Sequence, residues 1–290
     1  MTGPAVVVVT DSSACLPAEL RERWGIRVVP LHILLEGADL RDGIDDVPED
    51  LYARDGVSTS GSNPEELTVA YRNGLADSGG AGVVAIHISA ALSGTFGAAE
   101  HVAAQIGSGV RVIDSRSAAM GTGFVALAAA RAAAGGADLD GVAAAADTAV
   151  QRSRAYLVVH RLDNLRRSGR IGSAAAWLGT ALSLKPLLAL DDGKLVLAQR
   201  IRTVSKAIAS MIDRVCDVVG DRRAALAVHH VANLQGAHDV AGALAERLPA
   251  CDPAFITDLG PTLALHVGAG AVAVCVDLEP GGAPGLAPHN

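Results

Sequence analysis

Three apolar runs, Val6 to Val9, Val83 to Ile88 and Val110 to Ile113, each stop abruptly at small polar residues. Runs dominated by β-branched residues without polar alternation suit strands buried on both faces, the condition of a parallel sheet covered by helices. Open parallel sheets collect their sites at the carboxyl ends of the strands. Those ends are Thr10-Asp11-Ser12-Ser13, Leu92-Ser93-Gly94-Thr95 and Asp114-Ser115-Arg116-Ser117. The second is the most informative, because a small-residue helical stretch from Phe96 to about Gln105 follows it directly. Ser93 then suits the N-cap, Gly94 permits close backbone approach, and the amides and dipole of the helix start favour an anion. A cap and turn with no ligand accounts for the same residues.

The chain alternates strand and helix patterns. Pro17 fits the first position of a helix carrying Leu20 and Trp24, and Gly25 fits its stop. One strand is expected from Ile26 to Leu35. The acidic loop Arg41 to Asp46 has the spacing of a calcium loop but lacks the twelfth-position glutamate, so no metal is expected. Ser58 to Pro64 reads as a hydroxyl-rich loop before a helix from Glu65 to Gly74, able to bind an anion or to satisfy its own turns. Ala-rich helices run to about Arg154.

A second series starts at Tyr156. Lys185 to Leu190 and Lys194 to Gln199, joined by Asp191-Asp192-Gly193, form a candidate hairpin, which must be antiparallel. Later strands fall near Ala224 to His229, Ala254 to Ile256 and Ala271 to Val276, with a helix from Gln235 to Arg247. Arg161, Arg166, Arg167, Arg170, Lys185, Arg200, Arg202 and Lys206 concentrate here, as a partner-binding face or as a solvated face with local ion pairs. The expected organisation is an α/β domain over 1–153, a second α/β domain over 154–278 and a flexible tail over 279–290.

Half of the 290 residues are apolar and only 3% aromatic, so the core is built from Val, Leu, Ile and Ala. The net charge of −7 argues against nucleic acid as a partner. Cys15, Cys216, Cys251 and Cys275 form no C-x-x-C pair, pointing to reduced thiols in the cytoplasm and away from a zinc or redox site. The opening residues carry no basic n-region, and the Ala-rich stretch Ser117 to Ala137 contains Arg131 and glycines. It reads as a core helix, with no stable membrane insertion expected.

The order and spacing of several short segments identify a resemblance over nearly the whole chain. They are Val9-Thr10-Asp11-Ser12, Gly25 to Leu31, Arg41-Asp42-Gly43, Thr59-Ser60, Leu92 to Phe96, Val112 to Gly121, Ser168-Gly169-Arg170-Ile171, Lys185-Pro186, Arg202-Thr203 and His266-Val267-Gly268. With these, the sequence resembles the DegV family of bacterial fatty-acid-binding proteins. The resemblance implies a Rossmann-like N-terminal domain and a C-terminal domain with a largely antiparallel sheet. It also implies a non-enzymatic carrier that holds one long-chain fatty acid in a tunnel between the domains, with no other cofactor. In such a carrier the acid is presented to a separate fatty acid kinase, which makes acyl phosphate for phospholipid synthesis. The family's carboxylate-binding positions fall on Thr59, Ser93 and His266, with Gly94 beside them, and Arg170 and Arg202 match arginines assigned to the kinase-facing surface. Two departures, Gly61-Ser62 in place of the usual glutamine and proline and Ala269 in place of a proline, are expected to loosen loops beside the head-group site.

A tail of about fifteen methylenes, at roughly 0.8 kcal/mol each, contributes on the order of 12 kcal/mol before ordering costs. Tail burial therefore sets affinity and the head site sets orientation. A rival reading is a serine esterase with Ser93 as nucleophile and His266 as base, although Leu92-Ser93-Gly94-Thr95 is not a G-x-S-x-G elbow and no third acid is evident. A nucleotide-binding protein ranks behind both, since no G-x-G-x-x-G follows the first strand.

Overall fold

The computed structural model describes residues 5–48, 51–54, 56–171 and 185–278, and the polypeptide divides at Gln151/Arg152 into two compact units. Gly260–Thr262 count with the first unit. The expected tail over 279–290 lies outside the described residues.

The first unit comprises β1 (Val7–Asp11), α1 (Ala18–Trp24), β2 (Arg27–Val29), β3 (His32–Leu35), β4 (Ala38–Arg41), β5 (Ser58–Ser60), α2 (Pro64–Asp77), β6 (Val83–His87), α3 (Thr95–Ile106), β7 (Val110–Asp114), α4 (Met120–Ala134) and α5 (Leu139–Arg152). Its main sheet is parallel, in the order β2-β1-β6-β7. Leu67 and Tyr71 of α2 and Ala99 and Val102 of α3 pack against Val9, Val83 and Ala85. With α4 also packed on β1 and β6, every residue of β6 is buried, which is why its sequence shows no polar alternation. The Ala-rich stretch is α4, buried along most of its length, and Gly123 is required there because a Cβ would stand 2.9 Å from the Ala14 carbonyl oxygen.

Three expectations are corrected. The strand from Ile26 to Leu35 is two strands in different sheets, because Pro30 has no N–H with which to continue a ladder. After it, Leu31 donates its amide to Ser12 Oγ at 2.9 Å and accepts from Asp42 N at 2.8 Å, which turns the chain. The second piece, β3, is the middle strand of an antiparallel sheet β4-β3-β5. Ser58–Ser60, expected as loop, is the edge strand β5, with Thr59 opposite Ile33. Pro17 is the N-cap of α1 and not its first residue, while Gly25 closes the helix in the left-handed region at φ 62°.

The second unit contains β8 (Ser153–Val158), α6 (Asp163–Arg167), β9 (Leu187–Asp191), β10 (Lys194–Gln199), α7 (Val204–Val219), β11 (Ala224–His230), α8 (Leu234–Arg247), β12 (Phe255–Asp258), α9 (Gly260–Val267) and β13 (Val272–Leu278). Its sheet runs β10-β9-β8-β13-β11-β12 and is antiparallel except at β11–β12. The expected hairpin is β9–β10, whose turn residues Asp192 and Gly193 both have positive φ, at 46° and 76°, as a type I′ turn demands. Met211 and Val215 of α7 and Val240 and Leu244 of α8 share one core with Tyr156, Val228 and Val274 of the sheet.

One buried network ties the first unit's strand ends together. Asp11 is fully buried, and its Oδ2 accepts from Ile88 N at 2.9 Å and pairs with His87 Nδ1 at 3.0 Å. Its Oδ1 accepts from Ser13 N at 3.1 Å and from the Ser13 hydroxyl. His87 Nε2 pairs with Tyr71 OH at 2.7 Å, and burial, followed by the Asp11 charge, pushes the Tyr71 phenol well above its ordinary range. The arrangement that satisfies every atom has Tyr71 donating to Nε2 and Nδ1–H donating to Asp11. Replacing Asp11 by Ala strands several buried donors and is expected to cost about 3 kcal/mol in urea unfolding, whereas Tyr71→Phe, which strands one ring nitrogen, should cost about 1–2 kcal/mol.

Candidate functional site

The turn that leaves β6 spends its amides on the protein itself. Ser89 N donates to Ser117 O at 2.9 Å, Leu92 N and Ser93 N donate to Ser89 O at 2.9 and 3.1 Å, and Ala90 N donates to Asp114 Oδ1 at 3.3 Å. Polar residues at the ends of β1 and β7 thus hold in place the turn that delivers Ser93. The helix α3 begins one residue earlier than expected, with Gly94 and not Ser93 at the N-cap, at φ −71° and ψ −4°. Ser93 Oγ still accepts from Thr95 N at 3.3 Å and lies 2.9 Å from Thr95 Oγ1. Beyond Thr95, the Phe96 and Gly97 amides precede the helical ladder, which starts with Ala98 N donating to Gly94 O at 3.1 Å. Gly94 is exposed and Ser93 partly buried at this start.

The strand carrying Thr59 comes to the same place. Past β5 the chain lies against the Ser93–Thr95 turn, where Ser62 N donates to Thr95 Oγ1 at 3.2 Å. A Cβ on Gly61 would stand 2.8 Å from Thr95 Oγ1, 3.1 Å from Thr95 N and 3.4 Å from Ser93 Oγ. Thr95, buried between the two segments, is a candidate site residue that sequence reasoning missed. Its signal was its place one residue past Gly94, where a helix start holds polar side chains.

His266 belongs to the second unit, in the last turn of α9, and is partly buried. Burial above all, and then the Arg170 charge, lower its pKa to about 4, so near pH 7 its ring is neutral and offers one donor and one acceptor. Arg170, past α6, is partly buried and donates to Ser168 O, and Arg202 is exposed just before the Thr203 N-cap of α7. Of the other basic residues, Arg161 pairs with Asp163 at 2.8 Å and Lys185 donates to His160 O at 2.7 Å. An open hollow of about 700 Å³ lies beside Arg166, Arg167 and Val267.

The acidic loop uses its charges internally. Arg41 pairs with Asp45 at 2.9 Å, and Asp42 Oδ2 accepts from Ser12 Oγ at 3.0 Å. Among the described residues no group of three or more His, Cys, Asp or Glu could hold a metal ion, and no helix is long and apolar enough to cross a membrane. Cys15, Cys216, Cys251 and Cys275 are not joined in disulfides.

The family model described as "Uncharacterised protein, DegV family" matches residues 5–279. The chain belongs to the DegV family. A DegV domain-containing protein of Mycobacterium tuberculosis is 69% identical over 273 residues, covering 94% of this chain and 97% of its own. A solved DegV family protein from Thermus thermophilus, described by its fatty acid binding, superposes with a TM-score of 0.85 at 32% identity, over 95% of this chain and 100% of its own. DegV of Bacillus subtilis, described as a fatty acid binding protein, gives a TM-score of 0.86 at 27% identity, over 96% and 100%.

In this DegV chain the segments around Gly61-Ser62 and Ala269 make close contacts of their own. Gly61 is the residue that lets β5 close on Thr95, since any side chain would collide there. Ala269 sits between glycines whose amides are both engaged, Gly268 N with Ala264 O and Gly270 N with Val231 O, each at 2.8 Å.

The lowered pKa of His266 has a readable consequence. The unfolded chain binds this proton in the window from the ordinary value of 6.5 down to about 4 while the native chain does not, so His266 makes stability fall as pH drops through that window. NMR of the ring protons should place its midpoint near pH 4, and Arg170→Ala should raise that midpoint.

Proposed function

We propose that this DegV-family chain is a carrier that binds one long-chain fatty acid and has no catalysis of its own. The observation that carries the reading is the helix start at Ser93-Gly94, against which the Thr59 strand closes, together with the fatty acid binding described for relatives at 32% and 27% identity. A carboxylate leaving water must keep its hydrogen bonds, and the Thr59 and Ser93 hydroxyls, the amides near Gly94 and the neutral His266 ring are suitable donors. No arginine is needed in such a head site. Burial of the alkyl chain, on the order of 12 kcal/mol for about fifteen methylenes before ordering costs, supplies the affinity.

A head site of hydroxyls and an imidazole is shallow and leaves one carboxylate oxygen reachable. In this reading the protein works in the cytoplasm and presents that oxygen to a separate fatty acid kinase, whose acyl phosphate enters phospholipid synthesis. Arg170 and the exposed Arg202 then belong to the surface that meets the kinase. The test is lipid extraction and mass spectrometry of the purified protein, alongside kinase-coupled acyl phosphate formation. Ser93→Ala and Thr59→Ala should each lower fatty-acid content and transfer while the thermal midpoint stays within a few degrees. Arg202→Ala should lower transfer and spare content. Unchanged content and transfer in both hydroxyl variants would remove those residues from the site, and steady ester turnover abolished by Ser93→Ala would point to an esterase instead.

A further inference from the structure

His32, at the head of β3, is nearly enclosed, with a side chain 7% exposed, and both of its ring nitrogens meet carboxylates. Nδ1 lies 2.6 Å from Asp39 Oδ1 on β4, and Nε2 lies 2.9 Å from Glu66 Oε2 on α2. Ionised carboxylates only accept hydrogen bonds, so both contacts are satisfied together only when both nitrogens carry hydrogen. A neutral ring would turn a lone pair toward one carboxylate. The geometry is therefore that of an imidazolium.

Other charges around the ring come from β4 and the turn after it. Arg41 is the register partner of His32 in β4 and its charge reaches Glu66, while Asp45, bound to Arg41 Nε and Nη2 at 2.9 Å each, carries a charge that reaches His32. From β5 the register partner is Ser60, which does not titrate. Burial is the largest single influence on His32 and pulls its pKa down. The hydrogen bonds it donates to Asp39 and Glu66, then their charges, more than offset it, and the net direction is upward from 6.5. The clamp is thus fully present below the ordinary value and is lost as pH rises through the raised folded value.

The clamp brackets the segment that carries the candidate head site. β3 pairs with β5 in the register Ile33 to Thr59, and the chain then passes Gly61 and Ser62 into α2, whose first turn contains Glu66. His32 therefore ties the strand before that segment to the helix after it. We propose that protonated His32 is a positioning residue for Thr59 and the Gly61-Ser62 loop, so that carboxylate binding weakens when His32 loses its proton. This rests on the fatty-acid reading above and adds to it a pH response set outside the head site.

The experiment is calorimetric titration of the delipidated full chain with oleate, from about pH 5.5 to about pH 9. His266, with its pKa lowered to about 4, stays neutral throughout that range and contributes no transition. Wild type should lose about fivefold in affinity across one transition, within the usual range of coupling between sites. Asp39→Asn, at a half-exposed carboxylate, should keep the low-pH affinity and move the midpoint to lower pH. His32→Gln should bind at the weaker level with no transition. Oleate binding whose pH midpoint is the same in wild type, Asp39→Asn and His32→Gln would overturn the role of His32 and leave the carrier reading standing. Absence of oleate binding by wild type at every pH would overturn both.

Discussion

The carboxylate of Asp11 is the fixed point of the first unit. It lies at the end of β1, sealed from water, and takes hydrogen bonds from the Ser13 amide and hydroxyl, the Ile88 amide and the His87 ring. A buried charge is tolerated only when its lone pairs are filled, and here the filling groups come from two neighbouring strand ends. The consequence is geometric, because Ile88 is the first residue of the turn that leads to Ser93. Once Asp11 and Asp114 have set that turn, the helix start follows with little freedom of its own.

On that frame the candidate head site is made of close approaches more than of charges. Gly61 has no room for a side chain, Thr95 receives the Ser62 amide, and Ser93 and Thr95 share a hydroxyl contact at 2.9 Å. In the proposed carrier, such a cradle offers hydroxyls and helix-start amides to the carboxylate. Charge enters one step further out, at the His32 clamp.

The parallel strands were legible because burial on both faces leaves an unbroken apolar run, and β6 ends within a residue of where that run suggested. The hairpin was legible from Asp192-Gly193, which carries its own turn geometry. Pro30 announced a break that the apolar pattern on either side concealed. β5 was not legible, since three polar residues become a strand only when β3 supplies the partner. Of the site, Ser93 and Gly94 stood out by their place after a strand, whereas the partnership of Asp11 with His87 spans 76 residues and leaves no local trace. The helix α7 was missed although Ala207, Met211, Val215 and Val219 recur at helical spacing, so there the signal was present and went unused.

The proposed carrier rests its fatty-acid carboxylate on the Ser93–Gly94 helix start. Oleate labelled with carbon-13 at its carboxyl group, bound to the full chain and observed by NMR, tests this directly. The expected result is one sharp bound resonance from a carboxylate that stays ionised below the titration range of free oleate, and that moves on substitution of Ser93 by Ala. A carboxyl resonance that titrates like the free acid and ignores that substitution would contradict it.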